Sequence, residues 1–276
     1  MNEENNNSQL CYLFEFGLIV TGETEEEHLP SLLKNLTKTG ICTFKIIRRI
    51  KQLSPRTSSK KHPLQVKVIE TNNNSLNRKQ KILTKDQEKI GRAAQDYLLK
   101  NPCRYLLLVD DLEKDRVNKA PQVFQVYREA LDGILLAQKN RASVHLLANM
   151  IEAYYFADSH AINKALCLVT PLQDYPEDVE KIPHPKNQLK KIYDRFDEKE
   201  DGGKILKLLR VEHILSRPDT CAYLRTLFYW CYQVLQKHPD PEILEPFQAE
   251  QYHFRGGILS EVTRKQLDNM AENPTA

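Results

Sequence analysis

Residues 106–116 read LLLVDDLEKDR, and the fold of the chain can be predicted outward from this stretch. An uninterrupted apolar run is typical of a strand that is buried on both faces of a parallel sheet. The strand is predicted to span 104–110 and to deliver Asp110, Asp111 and Glu113 into the following loop. Ligands of open parallel sheets bind beyond the carboxyl ends of the strands, so acids at this place indicate a functional site.

A second acidic cluster follows the first apolar run of the chain. Residues 11–20, CYLFEFGLIV, predict a strand, and GETEEE at 22–27 comes directly after it. Thr24 and Glu27 have the spacing of a capping box, and the helix they open is predicted to stop before Gly40. We expect the two acidic loops to share one crevice, where several carboxylates bind either a proton or a cation. The predicted cofactor is a divalent ion, Mg²⁺ or Mn²⁺.

Apolar strands and helical periods alternate along the first part of the chain. The further predicted elements are strands at 43–50 and 143–148, a short edge strand at 66–69, and helices at 85–100 and 121–139. Such alternation with right-handed crossovers produces a doubly wound parallel sheet. The predicted class is α/β, with a Rossmann-like domain at 10–158 and a mainly helical C-terminal region at 159–268. Residues 1–9 are predicted to be a disordered tail, and 269–276 a loose one.

The composition is that of a globular protein, with 41% hydrophobic residues, 28% charged residues and a formal net charge of +3. The six cysteines form no Cys-x-x-Cys pair and stand beside no histidine at zinc-finger spacing. They are predicted to be buried thiols in a reducing cytosol. The acidic start is unlike a signal peptide, and no run approaches the roughly 20 apolar residues that span a bilayer. We therefore expect a soluble, cytoplasmic protein with no membrane partner.

Positive charge is concentrated after the first predicted helix. Between Leu29 and Ile69 there are ten Lys or Arg residues and no Asp or Glu. The cation-rich segment from Lys45 to Lys85 is interpreted either as a solvated surface or, because it adjoins a crevice suited to phosphodiester chemistry, as a contact with a nucleic-acid backbone. No motif that reads base sequence accompanies it. The residues predicted to bind nucleic acid are Lys45, Arg48, Arg49, Lys51, Arg56, Lys60 and Lys61.

The order of these motifs resembles the Toprim fold of topoisomerases, primases and overcoming-lysogenization-defect (OLD) nucleases. More specifically, the chain is similar to a family of bacterial Toprim-like proteins of unassigned activity, often encoded beside an ABC-type or AAA ATPase. The similarity spans most of the chain. The matching stretches are GETE at 22–25, VDDLE at 109–113, IEAYYFAD at 151–158, HPK at 184–186, RPDTCAY at 217–223 and GG at 256–257.

The resemblance implies a Mg²⁺-dependent nuclease that hydrolyses phosphodiester bonds of DNA or RNA in a bacterial defence system with an ATPase partner. Asp110 is expected to act as a ligand or a general base. Glu152 and Thr21 are expected to support the metal from beside it. The predicted metal ligands are Glu23, Glu25, Asp111 and Glu113, and the predicted catalytic residues are Glu25, Asp110, Asp111 and Glu113.

Two departures from the Toprim pattern support an alternative. Thr21 stands where that family carries its first catalytic Glu, and the usual Asp-x-Asp is here Asp111-Leu-Glu113. The alternative is a catalytically degenerate binding module that keeps the fold and docks onto an ATPase or a nucleic acid. An active site requires the carboxyl groups of Glu25 and Asp111 to lie within roughly 4 to 5 Å, so that both reach one octahedral ion.

Overall fold

A computed structural model describes residues 10–54 and 83–253, together with residues 262, 264 and 265. Its centre is a four-stranded parallel sheet in the order β2-β1-β3-β4. The predicted α/β class and the helical character of the C-terminal region are confirmed. The edge strand predicted at 66–69 lies outside the described residues. The strands are β1 (Phe14–Val20), β2 (Cys42–Arg49), β3 (Arg104–Leu112) and β4 (Ala142–Ala148).

Helices connect the strands and cover both faces of the sheet. No helix among the described residues is long and apolar enough to cross a membrane. The helices are α1 (Glu23–Leu32), α2 (Lys34–Thr37), α3 (Lys85–Leu98), α4 (Lys114–Val117), α5 (Ala120–Leu135), α6 (Ser159–Leu166), α7 (Pro185–Ile192), α8 (Glu200–Leu208), α9 (Val211–Ser216) and α10 (Ala222–Leu235). Shorter 3-10 segments are Leu136–Arg141, Ile151–Ala157, Val179–Lys181, Glu242–Leu244 and Ala249–Tyr252.

The direction of winding reverses between β1 and β3. From β1 the chain crosses to β2 at one edge, then returns past β1 to form β3 and β4 on the other side. A crevice opens at such a switch point, beyond the carboxyl ends of the two central strands. Val20 of β1 lies beside Val109 of β3 in the ladder. The residues that follow Val20 and Val109 are therefore brought to the same crevice.

Side chains alternate between the two faces of the sheet along each strand. On β3, Leu107 and Val109 enter a core shared with α1, α8 and α10. Leu106 and Leu108 enter the opposite core, which α3 and α5 cover. Residues of the helical region after 158 thus pack in the same core as β1 and β3 on one face of the sheet.

The start of α1 differs from the sequence-based prediction. The helix begins at Glu23 with Gly22 as its N-cap, and no side chain caps it. The predicted capping box of Thr24 and Glu27 is therefore wrong, because Thr24 already lies inside the helix and an N-cap residue must lie outside it. The earlier start makes Glu25 the third residue of the helix, still in its first turn.

One pair of cysteines departs from the prediction of free thiols. Cys11, just before β1, forms a disulfide with Cys103, just before β3, across a Cα–Cα distance of 5.5 Å. Ninety-two residues separate the pair in sequence, and only the neighbouring positions of β1 and β3 in the sheet bring them together. The remaining thiols are the buried Cys42, Cys221 and Cys231 and the exposed Cys167.

Candidate metal centre

Glu25 is turned into the protein from the first turn of α1. Its side chain is 1% exposed, although it belongs to a run of acids that are otherwise solvated or half-buried. Gly22 makes room for it, because a Cβ atom on Gly22 would lie 1.8 Å from Glu25 Oε2. The carboxylate of Glu25 therefore folds back over the turn between β1 and α1, at the switch point of the sheet.

Asp110 and Asp111 lie on opposite faces of the sheet. β3 was predicted to end at Asp110, but it continues to Leu112, which pairs with Ala148 of β4. Successive side chains of a strand point in opposite directions. Asp111 follows Val109 to the face of α1, where the negative charge of Glu25 acts on its carboxyl group. Asp110 points to the face of α5.

Asp110 is held by an ion pair. Its carboxylate is fully buried and accepts from both Nη atoms of Arg116, at 3.2 and 2.5 Å, and from Thr21 Oγ1 at 2.7 Å. The guanidinium also donates to the backbone oxygens of Asp111 and Leu53, at 2.7 and 3.1 Å. The negative charge of Asp110 is thus balanced, and Arg116 ties the end of β3 to the segment after β2.

Glu152 lies close enough to Glu25 and Asp111 for their charges to interact in the same crevice. It lies in the 3-10 segment Ile151–Ala157 that follows β4, and it is 1% exposed. Burial raises the pKa of Glu152 to about 7, against the opposing effect of Lys186, whose Nζ lies 3.5 Å from Oε1. Lys186 Nζ also donates to Glu198 Oε2 at 2.8 Å. One lysine therefore faces a group of several carboxylates.

Four buried oxygen atoms at this place have no hydrogen-bond partner among the described residues: Glu25 Oε2, Asp111 Oδ1, Glu152 Oε2 and the Tyr155 hydroxyl. Burial, followed by the charge of Glu25, holds the pKa of Asp111 well above its usual range. Burial and the charges of Glu152, Asp111 and Glu25 likewise raise the pKa of Tyr155. Buried polar atoms are nearly always paired, so four unpaired oxygens in one crevice form a set that could hold a cation with its water.

A pocket of about 530 Å³ adjoins the acidic cluster. Asn149, Met150 and His184 line it and have φ angles of 55°, 73° and 55°, a left-handed backbone that non-glycine residues seldom adopt. Strained backbone of this kind concentrates at ligand sites. The remaining lining residues are Glu113, Arg116, Pro185, Lys186 and Asn187.

The other predicted acids lie at the margin of the crevice. Glu23 is exposed and pairs with Lys199 at 2.8 Å and with Arg49 at 3.7 Å. Glu113 is exposed at the N-cap of α4 and lines the pocket. Thr21 donates to Asp110, so it supports the ion pair with Arg116. Neither Glu23 nor Glu113 is directed into the cluster of unpaired oxygens.

Of the seven predicted phosphate-binding cations, four lie among the described residues and three do not. Lys45, Arg48 and Arg49 are exposed on the edge strand β2, and Lys51 is exposed just after it. Lys45 and Arg48 line a second pocket, of about 510 Å³, between β2 and α3. Arg49 instead pairs with Glu26 at 3.3 Å and Glu23 at 3.7 Å. Arg56, Lys60 and Lys61 lie outside the described residues.

A different trio forms the most compact set of metal-ligating atoms among the described residues. One atom each of Asp158, Asp174 and His213 lies within 4.8 Å of the others, and Glu25, Asp111 and Glu152 form no set so tight. The compact trio is already paired, because Asp158 accepts three bonds from Arg210, and Asp174 accepts from the Ser159 backbone. Mg²⁺ keeps several waters and needs only one or two carboxylates, so the looser, unpaired cluster suits it better.

Lys186 and Tyr155 are the residues of the crevice to which sequence patterns assigned no role. Lys186 lies in the HPK stretch at 184–186, which carries no charge pattern that indicates a ligand. Tyr155 belongs to an apolar stretch that predicts core, and it is indeed fully buried. Neither residue could be placed in the crevice before the positions of α7 and the segment Ile151–Ala157 were known.

Gly22→Ala is expected to weaken Mg²⁺ binding by about tenfold or more with little loss of stability. The extended backbone of Gly22, with φ −107° and ψ 162°, accepts alanine, but the new methyl group must displace the carboxylate of Glu25. Isothermal titration calorimetry measures the affinity, and thermal unfolding measures the stability. Gly40→Ala is the matched control, since φ is 74° there and nothing lies within 4 Å of the added Cβ. It should lower stability and leave Mg²⁺ affinity unchanged. Unchanged Mg²⁺ affinity in Gly22→Ala would show that Glu25 is not a ligand.

Comparisons with known proteins identify a family without an assigned activity. The family described as "Domain of unknown function (DUF4276)" matches residues 20–227, which run from the last residue of β1 through β2, β3 and β4 to the first half of α10. No curated protein and no solved structure matches the chain. The matched range contains every residue of the acidic cluster and of the pocket beside it.

Proposed function

Since the chain belongs to the family described as a domain of unknown function (DUF4276), we propose its activity from the geometry of its crevice: a Mg²⁺-dependent hydrolase of phosphodiester bonds in DNA or RNA. The observation that carries the proposal is the group of unpaired buried oxygens of Glu25, Asp111 and Glu152 at the switch point of the sheet. Oxygen ligands of this kind suit Mg²⁺ or Mn²⁺. A nuclease also follows from the resemblance to Toprim proteins.

Each residue of the crevice has a role in this proposal. Glu25, Asp111 and Glu152 hold the ion, which when bound supplies Lewis acidity and activates water. Lys186 lies between Glu152 and the pocket, so its ammonium group is placed to bind the backbone phosphate of a substrate. Arg116 balances Asp110, which keeps a fourth unpaired carboxylate out of the crevice.

More distant phosphates would bind the cations of β2. Lys45 and Arg48 are exposed on this edge strand, which neighbours β1. Contacts of this kind carry no sequence information and weaken steeply with salt. The substrate is therefore proposed to be bound through its backbone. An ATPase partner and a role in bacterial defence are proposed from the resemblance alone.

Metal-dependent cleavage tests the proposal. The purified chain is incubated with single-stranded DNA, duplex DNA and RNA in Mg²⁺, in Mn²⁺ and in EDTA, with and without an ATPase encoded beside it. We expect cleavage only with metal, and a loss of about 100-fold or more, about 2.7 kcal/mol in the barrier, in Glu25→Gln, Asp111→Asn and Glu152→Gln.

Glu180→Gln is the matched control for these amide substitutions. Glu180 is also a buried carboxylate, but it accepts from Tyr154 Oη and from the backbone N–H of Tyr223, both at 2.9 Å, at the start of α10. Its substitution should leave cleavage unchanged. Cleavage that survives in EDTA, or in all three cluster variants, would overturn the proposal.

The second candidate is a binding module without catalysis. The observation that favours it is the pairing of Asp110 with Arg116 and Thr21, which removes one of the predicted catalytic acids from the crevice. This candidate predicts binding to nucleic acid or to an ATPase that is insensitive to EDTA, with no cleavage of any substrate. Binding measured in Mg²⁺ and in EDTA separates the two candidates, since the hydrolase should require the metal for turnover.

A further inference from the structure

We propose that Tyr155 positions a water molecule on the metal ion and thereby strengthens metal binding without being a ligand. The inference rests on the proposed function, because it requires that Glu25, Asp111 and Glu152 hold an ion. It adds to the site a residue that is not acidic and lies three positions after Glu152. Substitution of Tyr155 should therefore weaken metal binding while the three carboxylates remain in place.

The position of the Tyr155 hydroxyl supports this role. The side chain is fully buried, and the hydroxyl has no hydrogen-bond partner among the described residues. Gly202 of α8 lies against it, since a Cβ on Gly202 would be 3.1 Å from the hydroxyl oxygen. The α8 helix thus covers the hydroxyl on that side. A buried hydroxyl without a partner is destabilising, so a ligand of the crevice is its natural partner.

The groups around the Tyr155 hydroxyl indicate which ligand it would contact. The charges that act on it are those of Glu152, Asp111 and Glu25, the proposed holders of the ion, together with Glu198. A neutral phenol donates one hydrogen bond and accepts others, which fits a metal-bound water better than the ion itself. Mg²⁺ retains several waters in protein sites. Groups that orient the surroundings of a metal in this way typically change its affinity 10- to 100-fold.

The preceding residue provides a control of the same type. Tyr154 is equally buried in the same 3-10 segment, but its hydroxyl donates to Glu180 Oε1 at 2.9 Å, at the start of α10. Removal of either hydroxyl deletes one oxygen atom from the core. Only Tyr155 is placed among the carboxylates of the cluster.

The experiment compares Tyr155→Phe with Tyr154→Phe in the full chain. Mg²⁺ affinity is measured by isothermal titration calorimetry, and the unfolding midpoint is measured in EDTA. Tyr155→Phe should bind Mg²⁺ about tenfold more weakly, with an unchanged or raised midpoint because an unpaired hydroxyl is removed. Tyr154→Phe should bind Mg²⁺ as the wild type does, with a lowered midpoint because a buried hydrogen bond is lost.

Three other results have distinct meanings. If Tyr155→Phe binds Mg²⁺ as tightly as the wild type, the inference is wrong while the metal centre stands. If both variants lose stability and affinity in parallel, Tyr155 is a structural residue and the inference is again wrong. If the wild type itself binds no Mg²⁺, the proposed function is overturned, and the inference with it.

Discussion

Asp111→Asn is expected to make the metal-free protein more stable and to abolish its stabilisation by Mg²⁺. Asp111 Oδ1 has no partner, and burial and the charge of Glu25 both oppose ionisation of this carboxyl group. An amide of the same shape removes the repulsion, so the free energy of unfolding in EDTA should rise. A Mg²⁺ concentration 100 times the dissociation constant should stabilise the wild type by about 2.7 kcal/mol and Asp111→Asn hardly at all.

The stability of the metal-free protein should also depend on pH, because Glu152 is a second carboxyl group of the cluster whose ionisation is opposed by burial. The pKa of Glu152 is raised from 4.5 to about 7 in the folded protein. Between these values the folded chain binds a proton that the unfolded chain has released, so the metal-free protein should lose stability as pH rises from 4.5 to 7. Saturating Mg²⁺ should remove this loss, because the ion replaces the proton. Chemical unfolding at several pH values, in EDTA and in Mg²⁺, measures both effects.

Glu23→Gln is the matched control for Asp111→Asn. Glu23 is an acid at the margin of the crevice, but it is exposed and already paired with Lys199. Its substitution should leave the Mg²⁺ effect intact. A lower stability of Asp111→Asn in EDTA would contradict the account, because it would mean that Asp111 makes a stabilising interaction within the protein.

Arg116→Met is expected to lower the free energy of unfolding by about 3 to 5 kcal/mol. Arg116 is largely buried and pairs with the fully buried Asp110, and its removal leaves that charge with no cationic partner, only the Thr21 hydroxyl. Asp110→Asn combined with Arg116→Met should recover part of the loss, because the double variant removes both charges. Urea unfolding of the two single variants and the double variant measures the coupling.

An exposed ion pair provides the comparison for the substitutions at Arg116 and Asp110. Arg92 pairs with Glu88 at 2.6 Å on the surface of α3, where both side chains are exposed. Arg92→Met should cost no more than about 0.5 kcal/mol. If Arg116→Met costs as little as Arg92→Met, then Asp110 is not dependent on its partner, and it would again be a candidate metal ligand.

The strands and the class of the fold could be predicted because apolar runs and helical periods are local properties of the sequence. The central strand shows the limit of this reasoning. Its apolar pattern ends at Val109, but pairing with β4 extends β3 to Leu112. That extension places Asp110 and Asp111 on opposite faces, so one is balanced by Arg116 and the other faces Glu25. Cross-strand pairing of this kind cannot be read from spacing within one segment.

The parts of the candidate site that depend on contacts between distant segments could not be predicted from the sequence, for the same reason. Glu152 was assigned only a supporting position, and its burial beside Lys186 depends on the packing of α7 against the segment after β4. The inward turn of Glu25 depends on the start of α1 at Glu23, which the expected capping box had placed later. The disulfide of Cys11 and Cys103 depends on the order of strands in the sheet.

Direct Mg²⁺ titration of the wild type and of Glu25→Gln tests the central claim that the unpaired carboxylates form a cation site. Isothermal titration calorimetry at neutral pH and low salt is the measurement. We predict saturable binding to the wild type and an affinity at least about tenfold lower for Glu25→Gln. The absence of saturable binding to the wild type, or equal affinity for the two proteins, would contradict the account.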